Sequence, residues 1–115
     1  MFFLIYKESL ALEKYKIVFE SHALRDLREI VRYIAEILKE PVIAERIHNS
    51  IKNQILSLEV MPYRHKLIDD EVLNKKEIRK MPVENYLVFY CVTEKSKTVH
   101  IFRILYNRRE WKNLI

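Results

Sequence analysis

The sequence predicts an α+β fold in the order β-α-α-β-β-β, an antiparallel helix hairpin packed on one face of a mainly antiparallel sheet. Three observations lead there. Residues 21–39 and 41–60 both carry apolar residues at steps of three and four, the spacing of one helix face. Residues 86–92 and 98–105 are strongly apolar runs joined by a short charged turn, the pattern of a buried hairpin. Before the helices, YKIVFE at 15–20 alternates as a strand does, with Tyr15, Ile17 and Phe19 on one side.

Each element follows from its residues. In the first helix Leu24, Leu27, Val31, Ile34 and Leu38 form the stripe, widened by Ile30 and Ile37, and Ser21 is placed to cap the first turn. Pro41 ends that helix and opens the second as its N1 residue. The second helix presents Ile43, Ile47, Ile51, Ile55 and Leu58, and Met61-Pro62 stops it, because a residue before proline is pushed out of the helical region. Two helices so close in sequence fold back on each other, and each has only one apolar face, so the pair needs a sheet to cover. Strands are expected at about 64–68, 76–81, 85–93 and 98–106; both faces of 86–92 are apolar, which marks a central strand. Residues 15–115 make one domain. Residues 1–14 form an N-terminal extension for which a short helix near 10–14, an upstream start-site extension and a flexible arm all stay open.

Composition narrows the function. The 115 residues leave room for one modest core, and a net charge of +5 with a pI near 9.3 favours an acidic partner. Glycine is absent, which removes glycine-rich phosphate loops, dinucleotide fingerprints and the nucleophile elbow of serine hydrolases. Turns then rest on other residues, with Asn74, Asn85 and the pair Asp69-Asp70 as candidates. The single cysteine, Cys91, lies in an apolar strand and reads as a small buried hydrophobe in a reducing compartment. The opening MFFLIYKESL is too short and lacks the basic segment of a signal peptide, and no run reaches the roughly 20 apolar residues of a membrane span. A cytoplasmic protein is expected, without membrane partner.

Cations sit at both ends of the apolar strand pair. Arg79 and Lys80 precede it and, being consecutive, point to opposite faces, so only one can join a given surface. Arg103 lies within the second strand, grouped by alternation with Val99, Ile101 and Leu105; a charge there is paired, with Glu84 as a candidate carboxylate, or faces a groove. Tyr106, Arg108, Arg109 and Trp111 follow, an aromatic and arginine group that suits either stacking on RNA or a protein hot spot. Arg79, Arg103, Arg108, Arg109 and Trp111 are therefore the candidate target-binding residues. Arginine is a poor base, so catalysis would need His65, Lys66, His100 or Tyr106 to move protons, and no spacing ties these to a partner. His22, His48, His65 and His100 match no zinc spacing, and Asp69, Asp70 and Glu71 read as an acidic turn; no metal and no cofactor is expected.

The element order, the YIAEIL helix, Leu58 to Pro62 closing the second helix, the NYLVFYCV strand and the RILYNRREW ending together resemble the RelE/ParE superfamily, toxins of bacterial type II toxin–antitoxin modules. The resemblance covers about residues 15–112. It implies a cytoplasmic toxin neutralised by a small acidic antitoxin that wraps its helices and sheet. RelE-like members cleave mRNA in the ribosomal A site; ParE-like members act on DNA gyrase. In a nuclease, Lys80, Arg108, Arg109 and Tyr106 would be the catalytic set. Nuclease branches carry an arginine directly after the tyrosine of the central strand, where this chain has Tyr86-Leu87. Losing a transition-state cation costs several kcal/mol. The pattern favours a ParE-like gyrase inhibitor, with a ribosome-dependent mRNA endonuclease and a non-toxic binding module as the alternatives.

Overall fold

The structure is a computed structural model that describes residues 14–70 and 75–107. Its elements run β1 (Lys16–Phe19), α1 (Ser21–Arg32, continued by one π-helical turn, Tyr33–Ile37), α2 (Pro41–Leu56), β2 (Arg79–Val83), β3 (Tyr86–Thr93) and β4 (Thr98–Tyr106). The four strands form one sheet in the order β1-β4-β3-β2. β1 runs parallel to β4 and the other pairs are antiparallel, so the predicted α+β order and the central place of β3 are both found. The strand expected at 64–68 is a single bridge, Leu67 to Arg79, after a short 3-10 turn at Pro62–Arg64.

The helices cover one face of the sheet. Ala23, Leu27 and Ile34 of α1 and Ala44, Ile47, Ile51 and Ile55 of α2 pack on Met81, Val83, Val88, Tyr90, Val99, Ile101 and Ile104. Two details of the predicted stripes are corrected. In α2 the buried row steps 44, 47, 51, 55, 58, so Ala44 takes the seat expected for Ile43, which is exposed. In α1 the row starts at Ala23 instead of Leu24, and the π-turn adds one residue within the helix. Leu38 N–H bonds back to Tyr33 O at 3.0 Å, five residues earlier. One extra residue advances the face by about 100°, which carries Ile37 and Leu38 out to solvent. Ser21 is no cap: Leu24 N–H bonds to Glu20 O, making Glu20 the N-cap, without a side-chain capping bond.

Left-handed turn conformations fall on residues with side chains, since the chain has no glycine: Lys39, Met61, Glu77, Glu84 and Lys97 all have φ between 50° and 56°. The β2–β3 turn expected at Asn85 places its left-handed residue at Glu84 instead. Pro41 is the N1 residue of α2, as expected.

The opposite face of the sheet holds a second, smaller core. Leu87, Phe89 and Leu105 are packed with Phe102 under Ile68 and Ile78. This segment from 66 to 80 is fastened by Ile68 N–H to Ile78 O at 2.8 Å and Lys80 N–H to Lys66 O at 3.2 Å. A bulge in β4 separates the two faces: Phe89 pairs with Arg103 and Tyr90 with Ile101, leaving Phe102 as the extra residue. Alternation therefore resets, so Ile104 joins Val99 and Ile101 towards the helices. Arg103 is not grouped with them as simple alternation predicts; it shares a row with Phe89.

Candidate functional site

Two surfaces gather the chemistry-bearing side chains. On the helix-free face, strand register aligns Lys80, Phe89 and Arg103 in one row across β2, β3 and β4. Beside it lies a shallow cavity of about 430 Å³ lined by Glu20, His22, Lys76, Ile78, Phe102 and Arg103. Arg103 is held firmly: its Nε donates to Asp26 Oδ2 at 2.7 Å and its Nη2 to Oδ1 at 3.1 Å. The same Oδ2 accepts the backbone N–H of Ile104 at 2.9 Å. β1 pairs with β4 only as far as Ile101, so beyond it the Asp26 carboxylate stands where a strand partner would be. Asp26, not Glu84, is thus the partner of Arg103, while Glu84 pairs with Arg46. His100 lies one strand edge away, its Nδ1 3.0 Å from Glu20 Oε1 and its backbone opposite Cys91. Burial, with Glu20 and Glu77 nearby, pushes the Cys91 thiol up, so it stays protonated at neutral pH.

At the end of the sheet near the β3–β4 turn, Glu94 is a hub. Its Oε2 accepts the hydroxyls of Tyr63 at 2.6 Å and Tyr15 at 2.7 Å, and its Oε1 pairs with Lys97. The Lys97 hydrogen bond, with those from Tyr63 and Tyr15, brings the Glu94 carboxyl down to about 2. Reciprocally, the bond to Glu94 and then burial raise Tyr63 to about 12. Arg79 lies 5.0 Å over the Tyr63 ring. Its Nη1 donates to His65 O at 2.7 Å and Tyr63 O at 3.3 Å. Tyr90 donates to Pro62 O at 2.7 Å, and burial raises its hydroxyl to about 12. Burial and the charge of Arg64 lower His65, which is therefore neutral at pH 7. These contacts fix the turn after α2 to the sheet, so Arg79 acts as a staple.

The structure brings together some of the predicted residues and separates others. Lys80 and Arg103 share a row. Arg79 shares the row of Tyr90 on the other face, as consecutive strand residues must. Tyr106 is three pairs further along, opposite Tyr86, with their rings 5.7 Å apart. Three residues of strand are roughly 10 Å, so Tyr106 is out of reach of Lys80. Arg108, Arg109 and Trp111 lie outside the described residues, as do residues 1–13. Sequence reasoning missed Asp26 and the Glu94 hub. Asp26 had a signal, a lone carboxylate between Ala23 and Leu27 on the buried side of α1; the hub joins residues 79 positions apart and had none. Among the described residues no three His, Cys, Asp or Glu gather so as to hold a metal ion, and no helix is long and apolar enough to cross a membrane.

Comparison with known proteins agrees with this architecture. The family model for the ParE toxin of the type II toxin–antitoxin system parDE matches residues 17–111. No curated protein sequence matches the chain. Among solved structures, the fold is similar to a chain of the chromosomal ParDE toxin–antitoxin system from P. aeruginosa, with a TM-score of 0.66 and 20% identity over 82% of this chain and 97% of that one. It is also similar to a chain of the toxin–antitoxin complex RelBE2 from Mycobacterium tuberculosis, with a TM-score of 0.61 and 20% identity over 81% of this chain and 98% of that one.

Proposed function

Because this chain belongs to the ParE family, the toxins of type II toxin–antitoxin systems, we propose that it arrests growth by binding and inhibiting DNA gyrase, without chemistry of its own. The observation that carries this reading is Leu87. The position where nuclease relatives of the superfamily hold an arginine is here a leucine 4% exposed, sealed between Phe89, Leu105 and the covering residues Ile68 and Ile78. No cation can reach a substrate from there. The neighbouring cations are engaged within the fold, Arg103 by Asp26 and Arg79 by backbone carbonyls. Tyr106, the proton donor that cleavage would call on, stands apart from Lys80. A protein that holds its target needs none of these groups free. An acidic antitoxin is its natural partner, drawn by the net charge of +5.

The test is a supercoiling assay with purified gyrase. The proposal expects inhibition at near-stoichiometric toxin, relieved by the antitoxin; unaltered supercoiling overturns it. The row of Lys80 and Arg103 favours one rival, RNA contact on the helix-free face, in ribosome-dependent mRNA cleavage. Transcripts cut at preferred codons soon after induction, and left intact by Lys80→Ala, would establish that rival.

A further inference from the structure

The end of the sheet around the β3–β4 turn carries an unbalanced positive surface. Lys14, Lys16, Lys95 and Lys97 are all exposed there, with Arg64 and Arg79 beside Tyr63. Strand pairing sets Lys16 opposite Thr98, and the Lys16 N–H donates to Lys97 O at 2.8 Å. Tyr15, between Lys14 and Lys16, is anchored twice: its N–H donates to Glu59 O at 2.8 Å and its hydroxyl to Glu94 at 2.7 Å. The lysines therefore project from fixed backbone, and strands about 4.8 Å apart put their flexible stems within reach of neighbouring anionic groups. Three carboxylates stand at the same end. Glu94 is occupied by Lys97 and two tyrosine hydroxyls, Glu59 is half-buried, and Glu77 lines a cavity of about 290 Å³ with Arg79 and Tyr63. Six cations against three carboxylates leave a surplus of three, more than half of the net charge of +5.

We propose that this lysine-bearing end contacts the sugar-phosphate backbone of duplex DNA. The proposal deepens the gyrase reading above, on which the choice of DNA rests, since gyrase works on duplex DNA. Lys14, Lys16 and Lys95 make no ion pair among the described residues, so their charge is available to a polyanion. The turn from Glu94 to Lys97 exposes no apolar side chain. A protein interface core is built on aromatic and aliphatic anchors and is poor in lysine, so an acidic protein fits this turn less well than phosphate does. Single-stranded nucleic acid is recognised by bases stacked on open aromatic faces. Here Lys97 lies 5.1 Å over the Tyr15 ring and Arg79 5.0 Å over the Tyr63 ring, and the two rings meet edge to face at 6.3 Å. Neither tyrosine offers a base a free platform. What remains is contact with phosphate along a duplex, without base reading.

The experiment measures binding of the purified full chain, free of antitoxin and gyrase, to a short labelled DNA duplex by fluorescence anisotropy across a salt series. Three lysine contacts predict a slope of about −2.7 in log affinity against log salt, a loss of about 40-fold between roughly 50 and 200 mM. The double variant Lys16→Glu, Lys95→Glu should bring the slope to about −1 and weaken binding at least about tenfold at low salt. A control, Arg25→Glu with Arg28→Glu on the exposed side of α1, lowers the net charge equally and should stay within about threefold of wild type. Circular dichroism and thermal unfolding verify that both variants fold. Absence of duplex binding by the wild-type chain overturns the inference. So does an equal loss in the two double variants, which would assign binding to overall charge, and so does tighter binding of a single strand or of duplex RNA. Because gyrase is left out, the two readings fail separately. Inhibited supercoiling without DNA binding removes this inference alone; unaltered supercoiling, with DNA binding lost only in Lys16→Glu, Lys95→Glu, removes the gyrase reading alone.

Discussion

Replacing Asp26 tests the junction on which both the helix packing and the disposition of Arg103 depend. The carboxylate side chain is 10% exposed and accepts three hydrogen bonds, two from Arg103 and one from the Ile104 N–H. Asp26→Ala leaves a buried backbone donor unsatisfied, at about 1–3 kcal/mol. It also strands the Arg103 guanidinium. Removing one partner of a fully buried ion pair costs about 3–5 kcal/mol, but at 20% exposure Arg103 can turn towards water, so the lower end applies. These two losses overlap because they share one carboxylate oxygen, and the net expectation is about 3–4 kcal/mol. For a domain of this size that lowers the melting temperature by about 12 °C or more. Asp26→Asn keeps one acceptor and loses the charge, for about half the effect. The double variant Asp26→Ala, Arg103→Met removes the stranded cation and should be more stable than Asp26→Ala alone by at least about 1 kcal/mol. Urea unfolding followed by circular dichroism measures all three from the midpoints, provided the slopes agree. A loss below about 1 kcal/mol for Asp26→Ala, or a double variant no more stable than Asp26→Ala alone, would refute the reasoning.

Three further outcomes are expected. Lys39→Gly should raise stability by about 0.5–1 kcal/mol, because glycine adopts φ 55° without a Cβ clash, while Lys39→Val should lower it; urea midpoints decide. Glu94 is held down to about 2 from an ordinary 4.5, so its contribution to stability is complete above about pH 4.5 and is lost as pH falls through about 2. Melting temperatures of wild type and Glu94→Gln should therefore differ at neutral pH and converge near pH 2, with salt shrinking the gap because the hub is exposed; a pH-independent gap would contradict the assignment. Leu87→Arg should not confer RNA cleavage, because the site is closed by Ile68 and Ile78; it should instead cost about 3 kcal/mol or more, seen as a lower urea midpoint or as insoluble protein.

The strand pair was legible because burial on both faces leaves almost no polar positions in β3: Leu87, Val88, Phe89 and Tyr90 are all buried, two towards each core. Helix existence was legible for the same reason, as a row of apolar residues at regular steps. What escaped was everything set by one-residue shifts. A π-turn in α1 and a bulge in β4 each insert a residue into an otherwise regular count, and neither has a local signature in glycine or proline here. Residues 64–68 are expected as a strand, yet only Leu67 makes a bridge, since this segment crosses the sheet face as a lid for the second core. At the candidate site, Lys80 and Arg79 were rightly assigned to opposite faces by strand geometry alone. Their engagement could not be read, because the partners of Arg79 are backbone carbonyls, which carry no residue identity.

The bulge at Phe102 also says how this family member can vary over generations. It works as a counter within β4: upstream, Val99 and Ile101 belong to one core, and downstream Ile104 and Leu105 fall correctly into two different ones only because the bulge leaves Phe102 out of the alternation. Pairing the strand regularly through Phe102 would keep every side chain and misassign all those beyond it, driving Leu105 towards the helices and Ile104 away from them. Drift in the length of the last strand is therefore open at the bulge, where loss of Phe102 leaves the faces as they are, and closed on either side of it, where one residue more or less exchanges them.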